Sequence, residues 1–197
     1  MAPTSADSSS DLFKCVPLCD ATENDIWQID QFMPVNENGS GLVAYLQVLA
    51  FPDEANGRMR TYLVKDCQTD ELVGYFSLKA GLISYNEEPE DASSSFDTLP
   101  GVELANYAMN AAYREAHPDA VGCGLIVFQR LILPMVQAAA SLIGICRLYL
   151  FALPDDKVTA TYEGYGFSRL PREEEDLLHQ RLKPRYDDQC IFMSMTL

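Results

Sequence analysis

The stretch that most constrains this chain runs over residues 121–153. It opens as Val121-Gly122-Cys123-Gly124 and continues as an apolar segment to Leu142. It breaks at Ser141 to Gly144 and closes as a second apolar run, Cys146 to Leu153. The first run is apolar nearly all round a helical wheel, which predicts a buried helix over residues 122–142. Pro134 lies inside it and has no N–H to donate, so a kink or an end to the first part is expected there. The second run is continuous rather than alternating, the pattern of a central strand covered on both faces. Such a strand needs helices above and below it, which selects an α/β architecture.

The flanking segments supply those layers. Thr22 ahead of Glu23 and Asp25 marks a helix start over residues 21–32, with Trp27 expected to pack that helix. Leu42, Tyr45, Leu46 and Leu49 have helical spacing over residues 42–51, closed by Pro52-Asp53. Residues 60–65 and 72–83 read as strands of a hairpin around the polar turn 66–70. Residues 86–97 carry acids and three serines and read as a solvated insertion, either a plain linker or an acidic lip drawing in a cationic substrate. A strand over 101–110, a helical turn over 111–117, a short helix capped by Asp155 or Asp156, a charged helix or arm over 172–186 and a closing strand over 189–197 complete the order. Residues 1–11 are Ser/Asp-rich and read as a disordered tail, leaving residues 12–197 as a single domain.

Charge narrows the partners. Of 197 residues, 14 are Lys or Arg and 29 are Asp or Glu, a formal net charge of −15. That surface repels phosphate backbones and anionic membranes, so nucleic acid and membrane partners are not expected. A small-molecule or peptide amine is electrostatically easier, and a homodimer is left open. The first residues lack the basic and apolar regions of a secretory signal, so a cytoplasmic location is expected. The six cysteines form no CxxC pair or Cys/His cluster, so no metal is expected.

A Gly-x-Gly at a helix start lets backbone approach a ligand and offers unsatisfied N–H groups to an anion. It is neither a dinucleotide fingerprint nor a phosphate loop ending in Gly-Lys-Ser/Thr. Its context is more telling. After the helix and the apolar strand comes Asp155 to Thr161, then Tyr162-Glu163-Gly164-Tyr165-Gly166-Phe167. In this order the chain resembles the GNAT superfamily of N-acetyltransferases, where a Q/R-x-x-G-x-G/A loop precedes a helix, a strand and a helix ending in Tyr-x-x-x-Gly-Phe. The resemblance covers residues 101–170, and the hairpin, acidic insertion and Leu99-Pro100-Gly101 lead-in look like the toxin-type branch that acetylates aminoacyl-tRNA.

The resemblance implies a GNAT-like three-layer α/β sandwich with a central mixed, mostly antiparallel sheet. It implies acetyl-CoA as co-substrate and acetyl transfer to a primary amine by direct attack. The alternatives are a non-catalytic acyl-CoA sensor and the tRNA-directed toxin. Backbone of Val121, Gly122, Cys123, Gly124 and Leu125 would hold the pyrophosphate, and Ala108 and Met109 would pair with the pantetheine arm. Tyr162 would be the acid at the leaving thiolate, or else a packing residue. Glu103 would be the base, or else an exposed strand carboxylate. Asp155 would contact the cofactor, or else cap its helix. One residue departs from the pattern: Asp119 stands where the family loop has Gln or Arg, and Arg114 is available as a replacement cation.

Overall fold

The computed structural model describes residues 12–36, 38–84, 98–182 and 189–197. The tail expected at 1–11, the insertion at 86–97 and the end of the arm beyond 182 lie outside these residues. The described strands form one sheet in the order β1 (Phe13–Pro17), β2 (Arg60–Asp66), β3 (Leu72–Ile83), β4 (Leu99–Met109), β5 (Arg147–Ala152), β7 (Ile191–Thr196) and β6 (Ser168–Arg169). Every pairing is antiparallel except β4 with β5, so the sheet is mixed and mostly antiparallel, as the resemblance implies.

Two helices cover one face beside β2 and β3. The first, α1 (Glu23–Asp30), starts as the sequence predicts: Thr22 Oγ1 accepts from the Asp25 N–H at 3.2 Å, and Asp25 Oδ2 accepts from the Thr22 N–H at 2.8 Å. This reciprocal pair satisfies two donors that a helix start leaves open. The helix buries Asp25 and Ile29, and Phe32 beyond its end; Trp27 is 63% exposed. Two residues turn a helix by about 200°, so a side chain flanked at that spacing by Asp25 and Ile29 must face outward. The expectation that Trp27 packs is therefore corrected.

The second helix, α2, joins Ser40–Ala44, a π turn at Tyr45–Leu49 and Ala50–Ala55. It does not stop at Pro52 as expected. The Ala50 N–H reaches Tyr45 O in the wider π turn, and this loosened stretch takes the proline's missing donor without ending the helix.

The other face carries α3 (Ala111–Ala116), the long helix α4 (Cys123–Leu142) and α5 (Asp156–Gly164). In α4 the Leu133 N–H bonds Phe128 O across a π turn directly ahead of Pro134, and the helix runs on to Leu142. Cys123, Val127, Phe128, Ile132 and Val136 meet the sheet. The outer face is open, with Gln129, Arg130, Pro134 and Gln137 exposed and Leu142 at 84%, so the helix is not buried all round as expected. A three-layer sandwich has no further layer to cover that side. The remaining helix, α6 (Arg172–Arg181), packs Leu178 against Tyr149, Ile83 and Phe192 on the α1–α2 side of the sheet.

Candidate active site

The site grows from a defect in the sheet. The two parallel strands β4 and β5 pair only over Gly101 to Glu103 against Arg147 to Tyr149. Beyond that, β4 runs on to Met109 beside β3, and β5 runs on to Ala152 beside β7. The strands thus part company, and the β4 edge from Leu104 onward has no strand partner on its β5 side. An open edge of backbone N–H and C=O groups inside a sheet is a template for an extended ligand.

The loop before α4 lies at the mouth of this gap. Gly122 has φ +77°, a left-handed conformation, and a Cβ there would meet nothing within 4 Å. The first turn of α4 is tied to the sheet by Tyr107 on β4, whose hydroxyl donates to Gly124 O at 2.6 Å. A Cβ on Gly124 would lie 2.8 Å from the Tyr165 hydroxyl, so the helix start and the end of α5 touch here. Val121 is 82% exposed, and Cys123 is buried.

Three tyrosines therefore converge. Tyr165 stacks on Phe128, and Tyr162 sets its edge against both Tyr165 and Phe167. Burial, and then Tyr165, push the Tyr162 phenol above its ordinary value; burial, then Tyr165 and Tyr162, do the same to Tyr107. Among the described residues the Tyr162 hydroxyl has no hydrogen-bond partner. The sequence singled out Tyr162 but missed Tyr107 and Tyr165, although Tyr165 stands inside the same motif.

Glu103 sits on the opposite face. Its neighbours Val102 and Leu104 point toward α4, while Glu103 is buried on the side of α6. Lys79 Nζ and the Tyr149 hydroxyl both donate to Glu103 Oε2, at 3.2 and 3.5 Å. This removes the reading of an exposed carboxylate. Neither Lys79 nor Tyr149 was legible as its partner, because strand register alone brings them together.

Asp155 spends its side chain on capping α5, where Oδ1 accepts from Lys157 and Val158 N–H at 2.7 and 3.4 Å. Ala108 and Met109 are both at the end of β4, yet the Met109 carbonyl already accepts from the Val35 N–H at 3.1 Å. Pairing with an arm at Met109 is narrowed accordingly.

No protein-family model and no curated relative matches the chain. Solved structures do. A tyrosine-to-phenylalanine mutant of the AtaT toxin is 17% identical, with 99% of this chain and 95% of that chain covered at a TM-score of 0.63. A tyrosine-to-phenylalanine mutant of KacT is 16% identical, with coverages of 94% and 95% and a TM-score of 0.64. AtaT complexed with acetyl-methionyl-tRNAfMet is 17% identical, with coverages of 91% and 93% and a TM-score of 0.59. The chain thus has the GNAT fold in the form these toxins carry it. AtaT is also seen with acetyl-CoA and the C-terminus of the antitoxin AtaR, and KacTA with DNA.

These complexes correct the partner expectation. AtaT is seen with an acetylated aminoacyl-tRNA and with an antitoxin segment, and the KacTA complex with DNA, so an acidic total does not by itself exclude nucleic acid or protein partners for a chain of this fold. Net charge sums the whole surface, whereas binding depends on the local field at one patch.

Proposed function

We propose that the chain transfers an acetyl group from acetyl-CoA to the α-amino group of an aminoacyl-tRNA. The observation that carries the reading is the gap between β4 and β5, with Tyr162 and the Gly122 loop beside it. The open β4 edge suits an extended amide-bearing arm. The N–H groups at the start of α4 suit a diphosphate. Acetyl-CoA supplies the activated thioester. The shared fold of toxins bound to acetyl-CoA and to an acetylated tRNA supports both substrates.

The chemistry is a direct displacement. The amine nitrogen forms a bond to the acetyl carbonyl carbon, the C–S bond breaks, and the nitrogen loses a proton. Tyr162 donates its proton, or a hydrogen bond, to the departing thiolate, a role suited to a phenol that stays protonated. Glu103, held by Lys79 and Tyr149 on one oxygen, takes the amine's proton through its other oxygen or a water. Positioning two substrates in one cleft accounts for much of the acceleration.

The reading is checked with labelled acetyl-CoA and a pool of aminoacyl-tRNAs. The expected outcome is labelled N-acetyl-aminoacyl-tRNA, with Tyr162→Phe lowering kcat about 10²-fold or more at unchanged acetyl-CoA affinity. Acetyl-CoA binding without transfer to any aminoacyl-tRNA would turn the reading toward a sensor, which the exposed Asp119 beside the loop favours.

A further inference from the structure

We propose, resting on the acetyl-transfer reading above, that Asn106 on β4 binds the amino group of the acceptor, its side-chain oxygen accepting a hydrogen bond from the amine N–H.

The ground for this is an amide oxygen that the fold buries and leaves unbonded. Asn106 is 2% exposed. Its Nδ2 lies 3.9 Å from Met59 Sδ, a long contact to a weak acceptor. Among the described residues its Oδ1 has no hydrogen-bond partner, and it is closed off from solvent. Burying an amide oxygen without a bond costs folding free energy, so such an atom marks a place for a donor from outside the chain.

A bulge in β4 puts the side chain there. Leu78 faces Leu104 and Ser77 faces Asn106, so Ala105 has no opposite number on β3. An extra residue of this kind re-aims the residue after it. Val102 and Leu104 join the core under α4, as do Tyr107 and Met109 beyond the bulge. Strict alternation from Leu104 would turn Asn106 toward α4 as well. The bulge turns it to the other face, that of Glu103, where Met59, Tyr45 and Ala108 pack.

Polar groups lead up to it. The Tyr45 hydroxyl lies 3.0 Å from Thr61 Oγ1, which lies 3.0 Å from Ser77 Oγ, and all three residues are buried. The row runs from α2 across β2 and β3 and stops at Ser77, the residue opposite Asn106. None of its hydroxyls reaches Oδ1. On the other side of Asn106 there is no strand, because β5 has parted from β4. The two limbs of a planar amide diverge, so with Nδ2 toward Met59, Oδ1 turns away from it. An amine in the gap can donate one N–H to Oδ1 and keep its lone pair for the acetyl carbon. The proton that it loses goes to Glu103, and the contact at Asn106 fixes its direction of attack.

The test joins acetyl-transfer kinetics to urea denaturation, with labelled acetyl-CoA and two acceptors, an aminoacyl-tRNA pool and a lysine-bearing peptide. Wild-type protein that acetylates neither overturns the acetyl-transfer reading and the role of Asn106 with it. Wild type that acetylates the peptide alone overturns only the tRNA part of that reading, and the variants are then measured on the peptide. Asn106→Leu keeps the branching without polar atoms, and Asn106→Ala removes the amide altogether. Both are expected to lower kcat/KM for the acceptor about tenfold or more, with the KM for acetyl-CoA unchanged. At least one is expected to hold or exceed the wild-type urea midpoint, because an unbonded buried group is gone. Unchanged acceptor kcat/KM in both variants, a matching rise in the KM for acetyl-CoA, or a lower urea midpoint in both would overturn the assignment of Asn106.

Discussion

Gly81 and Tyr149 illustrate how closely single residues are fitted around Glu103. A Cβ on Gly81 would overlap the Tyr149 hydroxyl, which is the group that reaches Glu103. Gly81→Ala is therefore expected to push the phenol aside and to cost about 1–3 kcal/mol by overpacking, read as a lower urea midpoint. Tyr149→Phe in the same background should recover part of that loss, because the colliding atom is gone. Within the strand read over residues 72–83, Gly81 is by sequence only a glycine near its end. Its real constraint is a ring on β5, far along the chain, which no spacing rule reports. Tyr107 was hidden for the same reason, since its partner is a carbonyl on another element. Tyr162 was legible because its neighbours along the chain form a motif.

At the scale of elements, α1 is fastened to β2 through one buried charge. Lys65 Nζ, 1% exposed, meets Asp25 Oδ1, while Asp70 Oδ2 lies 3.5 Å from the same nitrogen. Asp25 also closes the N-terminal box of α1. Removing it is expected to be costly on both counts: Asp25→Ala leaves a buried ammonium with only Asp70 beside it, and a loss of about 3–5 kcal/mol is expected. The paired change Asp25→Leu with Lys65→Met should cost much less, and a chemical-denaturation cycle over the four proteins separates the two. The start of α1 was readable from Thr22, but its mate on β2 was not. The prolines show the opposite limit. Pro52 reads as a stop and Pro134 as a kink or an end to the first part of its helix, and each helix absorbs its proline with a π turn that depends on the packing of the whole face. Strand β1 was not read at all. It is short, lies at the sheet edge and ends in Pro17, so it lacks an alternating pattern long enough to register.

For the molecule as a whole, the class of fold was legible because Cys146 to Leu153 demanded cover on both faces, and the cluster on each side of the sheet supplies it. The balance of charge was legible as a sum and misleading as a map. The acids do predict a pH response. Burial would raise Asp25, but Lys65 and Thr22 hold its carboxyl below the ordinary aspartate value. Burial would likewise raise Asp66, but the Tyr113 hydroxyl, the Thr69 and Gln68 N–H groups and His117 hold it down. A depressed folded value means stability that is fully present above the unfolded pKa of about 3.9 and that drains away as pH falls through the folded values. Circular dichroism is therefore expected to show an unchanged melting temperature from neutral pH down to about pH 5 and a decline that steepens below about pH 4. Asp25→Asn should start from a lower melting temperature and show a shallower decline.

The parting of β4 and β5 has a mechanical meaning as well. Three residue pairs join one blade, made of β1 to β4, to another made of β5, β7 and β6. Across the joint lie α4 on one face and, on the other, α6, whose Leu178 meets Ile83 of the first blade and Tyr149 and Phe192 of the second. A bound arm that bonded to the free edge of β4 would act as a splice. Tight binding and a stiffer joint would then be the same event seen from two sides, and each would strengthen the other by an equal amount.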